Sequence, residues 1–79
     1  MVTHPGEILM ERILLPNQIS VRQASRQLGV TPETLGGVIA GQQPVTIALA
    51  HALAREFGYS RQSWLALQQA WDDEQRLVA

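Results

Sequence analysis

Side chains able to do acid–base, nucleophilic or metal chemistry are sparse in this sequence. His4 and His51 are its only histidines, and they fall on separate segments that make no metal-ligating pattern. His51 sits beside the inward face of a helical stretch, where a surface or interface role is expected. There is no cysteine, so there is no thiolate ligand, no thiolate nucleophile and no disulfide. No Ser-His-Asp arrangement suggests itself. The pair Gly36-Gly37 is no phosphate loop, because no strand precedes it. The expectation is a chain that is not an enzyme and that carries no cofactor and no metal.

A second kind of chemistry remains, the recognition of phosphates and base edges. Hydroxyls, guanidinium groups and amides gather between positions 20 and 43: Ser20, Arg22, Arg26, Thr31, Thr34, Gln42 and Gln43. Threonine hydroxyls bond phosphates or base edges, and a serine at a helix start, with the N–H groups there, can hold a phosphate. Arg22 and Arg26 are either backbone contacts or solvated surface. Glu33 either accepts from a cytosine amino group or simply complements a helix dipole.

These residues need elements to position them, and the spacing supplies helices only. No alternating β-branched run appears. Pro5 suits the first position of a helix, Glu7 its first turn, and Ile8, Leu9 and Ile13 one face. Pro16-Asn17 stops it. Ser20 and Gln23 match a capping box; Val21, Ala24, Ser25 and Leu28 follow at helical spacing, and Gly29 ends that helix. Thr31 caps a third helix with Pro32 at its first position, Leu35, Val38 and Ile39 inward, and Gly41 at its end. Thr46 caps a fourth, with Ile47, Ala50, Leu53, Ala54 and Phe57 inward and Gly58 closing it. Ser60 caps a fifth, with Trp64, Leu67 and Trp71 along one stripe. The fold class is all-α: five short helices in a single domain over residues 1–79, with a last helix at 61–76.

The segment 20–41 has two short helices about a tight turn at Gly29. Small Ser25 lets the second helix cross closely over the first, and Val30, Leu35 and Val38 anchor the pair. This reads as a helix-turn-helix of the DNA-binding kind, the alternative being an ordinary helical hairpin. Thr31, Glu33, Thr34, Gly36 and Gly37 are the outward positions of its second helix.

Charge gives this reading little help. The six basic residues are all arginine, and the net charge is −1. An acidic cluster, Asp72, Asp73 and Glu74, lies near the C-terminus; before it, five arginines face Glu7, Glu11, Glu33 and Glu56, a net +1. That cluster is a solvated face or a surface for a basic partner. Glu7 and Glu11 argue against a secretory signal, and no apolar run reaches the roughly 20 residues of a membrane span. A soluble, cytoplasmic chain is expected. Trp64 is expected in the core. Trp71, near the chain end, is expected at a dimer interface with Leu77 and Val78, since an exposed cluster of this kind is a liability.

Four stretches carry a resemblance: HPGEIL at 4–9, LGV at 28–30, TIALAHALAREFG at 46–58 and SWLALQQAWD at 63–72. Together they make the chain similar to the HigA-type antitoxin family, within the Xre/Cro-like helix-turn-helix proteins. The resemblance implies a compact five-helix, lambda-repressor-like DNA-binding domain, with His4 capping the first helix. It further implies a homodimer that places the helix 32–40 in the major groove of operator DNA. Such a protein neutralises a small mRNA-cleaving ribonuclease toxin and represses its own operon. The chain departs from the family pattern where Arg or Asn is common in the recognition helix, at Gly36-Gly37. It departs again where Lys or Arg is common in the loop, at Gln42-Gln43. Glycine offers no reading side chain, and glutamine bonds a phosphate without releasing a counterion. The alternatives are a protein-binding module of the same fold with little DNA contact, or a stand-alone transcriptional regulator.

Overall fold

The computed structural model describes residues 2–78, Val78 by its backbone alone. Each helix starts where a side chain accepts from an N–H that the helix cannot pair. His4 Nδ1 accepts from Gly6 N at 3.0 Å, opening α1 (Pro5–Leu9). Ser20 Oγ accepts from Gln23 N at 3.0 Å while Gln23 Oε1 accepts from Ser20 N at 2.9 Å, which completes the capping box of α2 (Val21–Leu28). Thr31 Oγ1 caps α3 (Pro32–Ile39) at Thr34 N, 3.1 Å. Thr46 Oγ1 caps α4 (Ile47–Phe57) at Leu49 N, 3.2 Å, and Ser60 Oγ accepts from Ser63 N, 3.1 Å, at the start of α5 (Arg61–Val78). A cap of this kind contributes about 1 kcal/mol. The five expected helices are present, and there is no strand among the described residues.

Two local expectations are corrected. The first helix does not run on as an α-helix: Met10–Leu14 winds as a π-helix, with Leu15 N donating to Met10 O at 2.9 Å. The wider turn stands just before Pro16, which has no N–H to give and whose ring crowds the carbonyl four residues back in α winding. It brings Ile13 and Leu14, chain neighbours, both into the core. Ile47 does not face inward and is 68% exposed. The buried stripe of α4 is Leu49, Ala50, Ala52 and Leu53. At 100° per residue, Ile47 lies roughly 140° round the helix from the middle of that stripe.

One core gathers Leu9, Leu14, Leu35, Val38, Leu53 and Trp64, none more than 1% exposed. Trp64 is the largest of them, and its indole N–H donates to Gly58 O at 3.2 Å. Helix α5 packs along α4 and touches α1; α2 packs on α3 and α4. Helix α1 crosses α3 closely at Gly6. A Cβ on Gly6 would overlap the Val38 carbonyl and come within 2.8 Å of Ile39 Cα, so only glycine lets the two backbones meet there.

Candidate nucleic-acid interface

Helices α2 and α3 join through Gly29, which takes the left-handed conformation at φ 75°. Val30 N donates to Ser25 O at 3.0 Å and Gly29 N to Arg26 O at 3.4 Å, the paired bonds that close a helix with a left-handed residue. Ser25 is buried, and its hydroxyl donates to Arg22 O at 2.9 Å, so the small side chain is satisfied without obstructing α3.

Ser20, Arg22, Arg26, Thr31, Glu33 and Thr34 are all exposed, and the two helices hold them on adjoining surfaces. The Ser20 hydroxyl is occupied as an acceptor by its capping bond but keeps a proton to give. Thr31 Oγ1 donates to Thr34 Oγ1 at 2.9 Å, which leaves the Thr34 hydroxyl proton for an outside acceptor. Arg22 and Arg26 are one helical turn apart; the side-chain ion pairs among the described residues are Arg55–Glu56 and Arg76–Asp73, and neither involves them. Glu33 stands in the first turn of α3, where its charge suits the helix dipole.

The two glycines of α3 have different surroundings. A Cβ on Gly36 would meet nothing within 4 Å. A Cβ on Gly37 would lie 3.0–3.1 Å from Nε2, Cδ and Cγ of Gln43, so the side chain of the following loop rests over that position. Gln42 N and Gln43 N both donate to Gly37 O, at 2.9 and 3.1 Å.

That loop is pinned from two sides by residues whose role the spacing did not reveal. Gln68 is buried in α5; its Oε1 accepts from Val45 N at 2.7 Å, and its Nε2 donates to Asp72 Oδ1 at 2.9 Å. His4 is 5% exposed, packs edge-on to Trp71 with ring centroids 5.1 Å apart, and lies beside Gly41, where the loop begins. Because Nδ1 accepts from Gly6 N, the proton of the neutral ring is on Nε2. Burial pushes the His4 pKa below its ordinary value, against the opposing pull of Asp72, the Gln43 backbone and Glu7. Gly6 was likewise unread as a contact point. Its only signal was a glycine in the first turn of a helix, where nothing local requires one.

Trp71 is half-buried against His4 in its own chain, while Leu77 is 85% exposed; the side chain of Val78 lies outside the described residues. The acidic cluster is tied down: Asp72 to Gln68, Asp73 to Gln69 and Arg76, and Glu74 to Val2 N at 2.7 Å. His51 is exposed. No group of three or more metal-ligating side chains exists among the described residues, and no helix there is long and apolar enough to cross a membrane.

The helix-turn-helix family model (HTH_3) matches residues 10–64, from the π-helical turn through α2 and α3 to Trp64. The chain belongs to the helix-turn-helix family. It is not an enzyme, since helix-turn-helix proteins of this family are DNA-binding regulators and antitoxins. Virulence-associated protein I of Dichelobacter nodosus is 39% identical over 69 residues, 87% of this chain, and the chain spans 64% of that relative's length. The antitoxin HigA of Pseudomonas aeruginosa, solved with the higBA promoter, superposes with a TM-score of 0.94 at 29% identity, covering 99% of this chain and 85% of its own. An addiction-module antidote protein of the HigA family from Coxiella burnetii gives 0.90 at 32% identity, with 98% and 85% covered. The resemblance to HigA-type antitoxins read from the four motifs therefore holds, and it extends to this helix-turn-helix chain as a whole.

Proposed function

We propose that this helix-turn-helix protein is a HigA-like antitoxin that binds its own operator as a dimer and neutralises a small mRNA-cleaving toxin. One observation carries the DNA-binding half. Helices α2 and α3 present a polar, exposed row (Ser20, Arg22, Arg26, Thr31 and Thr34) in a fold that a HigA solved with promoter DNA shares. Helix α3 enters the major groove, with Thr31 and Thr34 at base edges or phosphates, Glu33 at its N-terminal turn, and Gly36 and Gly37 allowing close approach. Ser20, Arg22 and Arg26 hold phosphates from α2, and Gln42 and Gln43 approach from the loop. Two protomers reading an inverted repeat would set their α3 helices about 34 Å apart. Trp71, Leu77 and Val78 at the end of α5 make the dimer contact, and the protein works in the cytoplasm.

Binding of the folded protein to DNA upstream of its own gene, at low salt, tests the operator half. Sequence preference with a two-fold footprint is the expected result; a folded dimer with no preference removes the repressor role. Co-purification with the product of the neighbouring gene tests the toxin half, a small basic protein being expected. Strong operator binding with no captured protein makes the chain a stand-alone regulator.

A second reading is favoured by Gly36, whose outward face is bare, and by the net charge of −1. In it the same surface meets protein, with little DNA contact. Gly37→Arg separates the two. A weakened DNA face gains affinity that falls steeply with salt, whereas a protein contact is disrupted.

A further inference from the structure

The side chain of Gln43 occupies the place a longer residue at position 37 would fill. Its amide nitrogen is 3.0 Å, and its Cδ 3.1 Å, from where a Cβ of residue 37 would stand. Residue 37 shares a stripe with Glu33 and Thr34, four and three positions before it on α3, both exposed. The amide therefore lies on the outward surface of the helix although it comes from the loop. Its backbone is not loose. Gln43 N is bonded to Gly37 O, and Gln68 holds Val45 two residues on. A glutamine amide offers one donor and one acceptor side by side, the pattern complementary to N7 and N6 of adenine in the major groove.

We infer that Gln43 is a specificity-determining residue that reads an adenine from the loop, through the space that glycine at position 37 leaves open. This rests on the operator-binding reading above. Gly37 then has a function its helix propensity opposes: a methyl group there would push the amide aside. Thr34, on the same stripe, lines the recess beside Gln43 and keeps its hydroxyl proton for the neighbouring base or phosphate.

The experiment uses the whole protein and duplexes from upstream of its own gene, with each A·T pair of the half-site changed singly to G·C. For the wild type, one such change per half-site is expected to weaken binding about tenfold, the size of one bidentate base contact. Gln43→Ala should bind the unchanged duplex about tenfold more weakly and be indifferent to that one change, with the salt dependence unaltered because no charge is lost. Gln43→Glu keeps the shape and loses the N–H pair, and should lose the same preference. In a Gly37→Ala background the preference should already be gone, so that Gln43→Ala adds nothing further. Thermal melts establish that each variant is folded. A Gln43→Ala protein that keeps the wild-type preference overturns the inference. So does a loss that is equal at every position, which makes Gln43 a phosphate contact. In both cases operator binding by the wild type stands. Absence of any preference in the folded wild type removes the operator reading itself, and this inference with it.

Discussion

At Gly6 a single methyl group has nowhere to go. It would overlap the backbone of α3, and no side-chain rotation can relieve a clash with a carbonyl. Gly6→Ala should therefore lower stability by about 1–3 kcal/mol, the range for overpacking, as a fall in the urea midpoint. Gly36 predicts the opposite. Its outward face is open, so Gly36→Ala keeps every contact and removes the entropic disadvantage of glycine inside a helix. A gain of about 1 kcal/mol, or roughly 4–8 °C in Tm, is expected. His4 sets a third residue-scale outcome. Its folded pKa is below the ordinary 6.5, so the unfolded chain binds the proton more readily. Its contribution is complete above about pH 6.5 and is lost as pH falls through that value toward the lower folded one. Protonation also removes the Nδ1 acceptor that caps α1. Tm should fall between pH 7.5 and 5.5. In His4→Asn, which can cap without titrating there, that slope should flatten; an unchanged slope would place the titrating group elsewhere.

The helices show which features can be read from neighbours in sequence and which cannot. Ser20, Thr31, Thr46 and Ser60 were legible as caps because the acceptor and its N–H are three residues apart. Gly29 was legible for the same reason. The π-helical turn was not, because helical spacing of Leu9 and Ile13 looks the same whether or not one residue is squeezed in after them. Ile47 misled because spacing from Ala50 alone cannot fix which arc of α4 is covered; Leu49 and Ala52 set that arc. Gln68 was invisible because a lone glutamine in a polar helix gives no sign that a loop 23 positions earlier will place an N–H beside it. The outward row of α2 and α3 was legible as a row, while the overlap of Gln43 with Gly37 required the loop to be folded. At this scale the decisive element is α5, which seats Trp64 with its indole bonded to Gly58 O. Trp64→Ala should cost about 3–5 kcal/mol. Against a total of about 4–12 kcal/mol for a domain of this size, that leaves a protein partly unfolded at 37 °C by circular dichroism. Retention of the native Tm would mean the core does not depend on α5.

For the molecule as a whole, electrostatics set the expected strength of DNA binding. Arg22 and Arg26 are the only arginines on α2 and α3, and the loop brings neutral glutamines. A dimer would then neutralise about four phosphates, so log K against log salt should have a slope near −3.6. Arg22→Ala should flatten that slope by about 2. A slope near −10 would mean that other arginines reach the backbone. Two of the three charges in the acidic cluster are bonded to α5 side chains and the third to the Val2 amide, so the cluster helps fix the ends of the chain on each other. Helix α5 explains the elongated form: its 18 residues span about 27 Å. That exceeds the two short axes of 21 Å and fits only along the 35 Å one. Leu77, in the last turn of that helix, is 85% exposed.

The bond between Gln68 and Val45 N makes one amide proton a gauge. Val45 is buried, and its N–H has as its partner a side chain on α5 rather than a carbonyl in its own helix or turn. Its rate of exchange with deuterated solvent therefore reads the seating of α5 directly. Any ligand, second subunit or substitution that lifts α5 from the loop will register at that proton, at a position adjoining the proposed DNA surface, without a label having to be introduced.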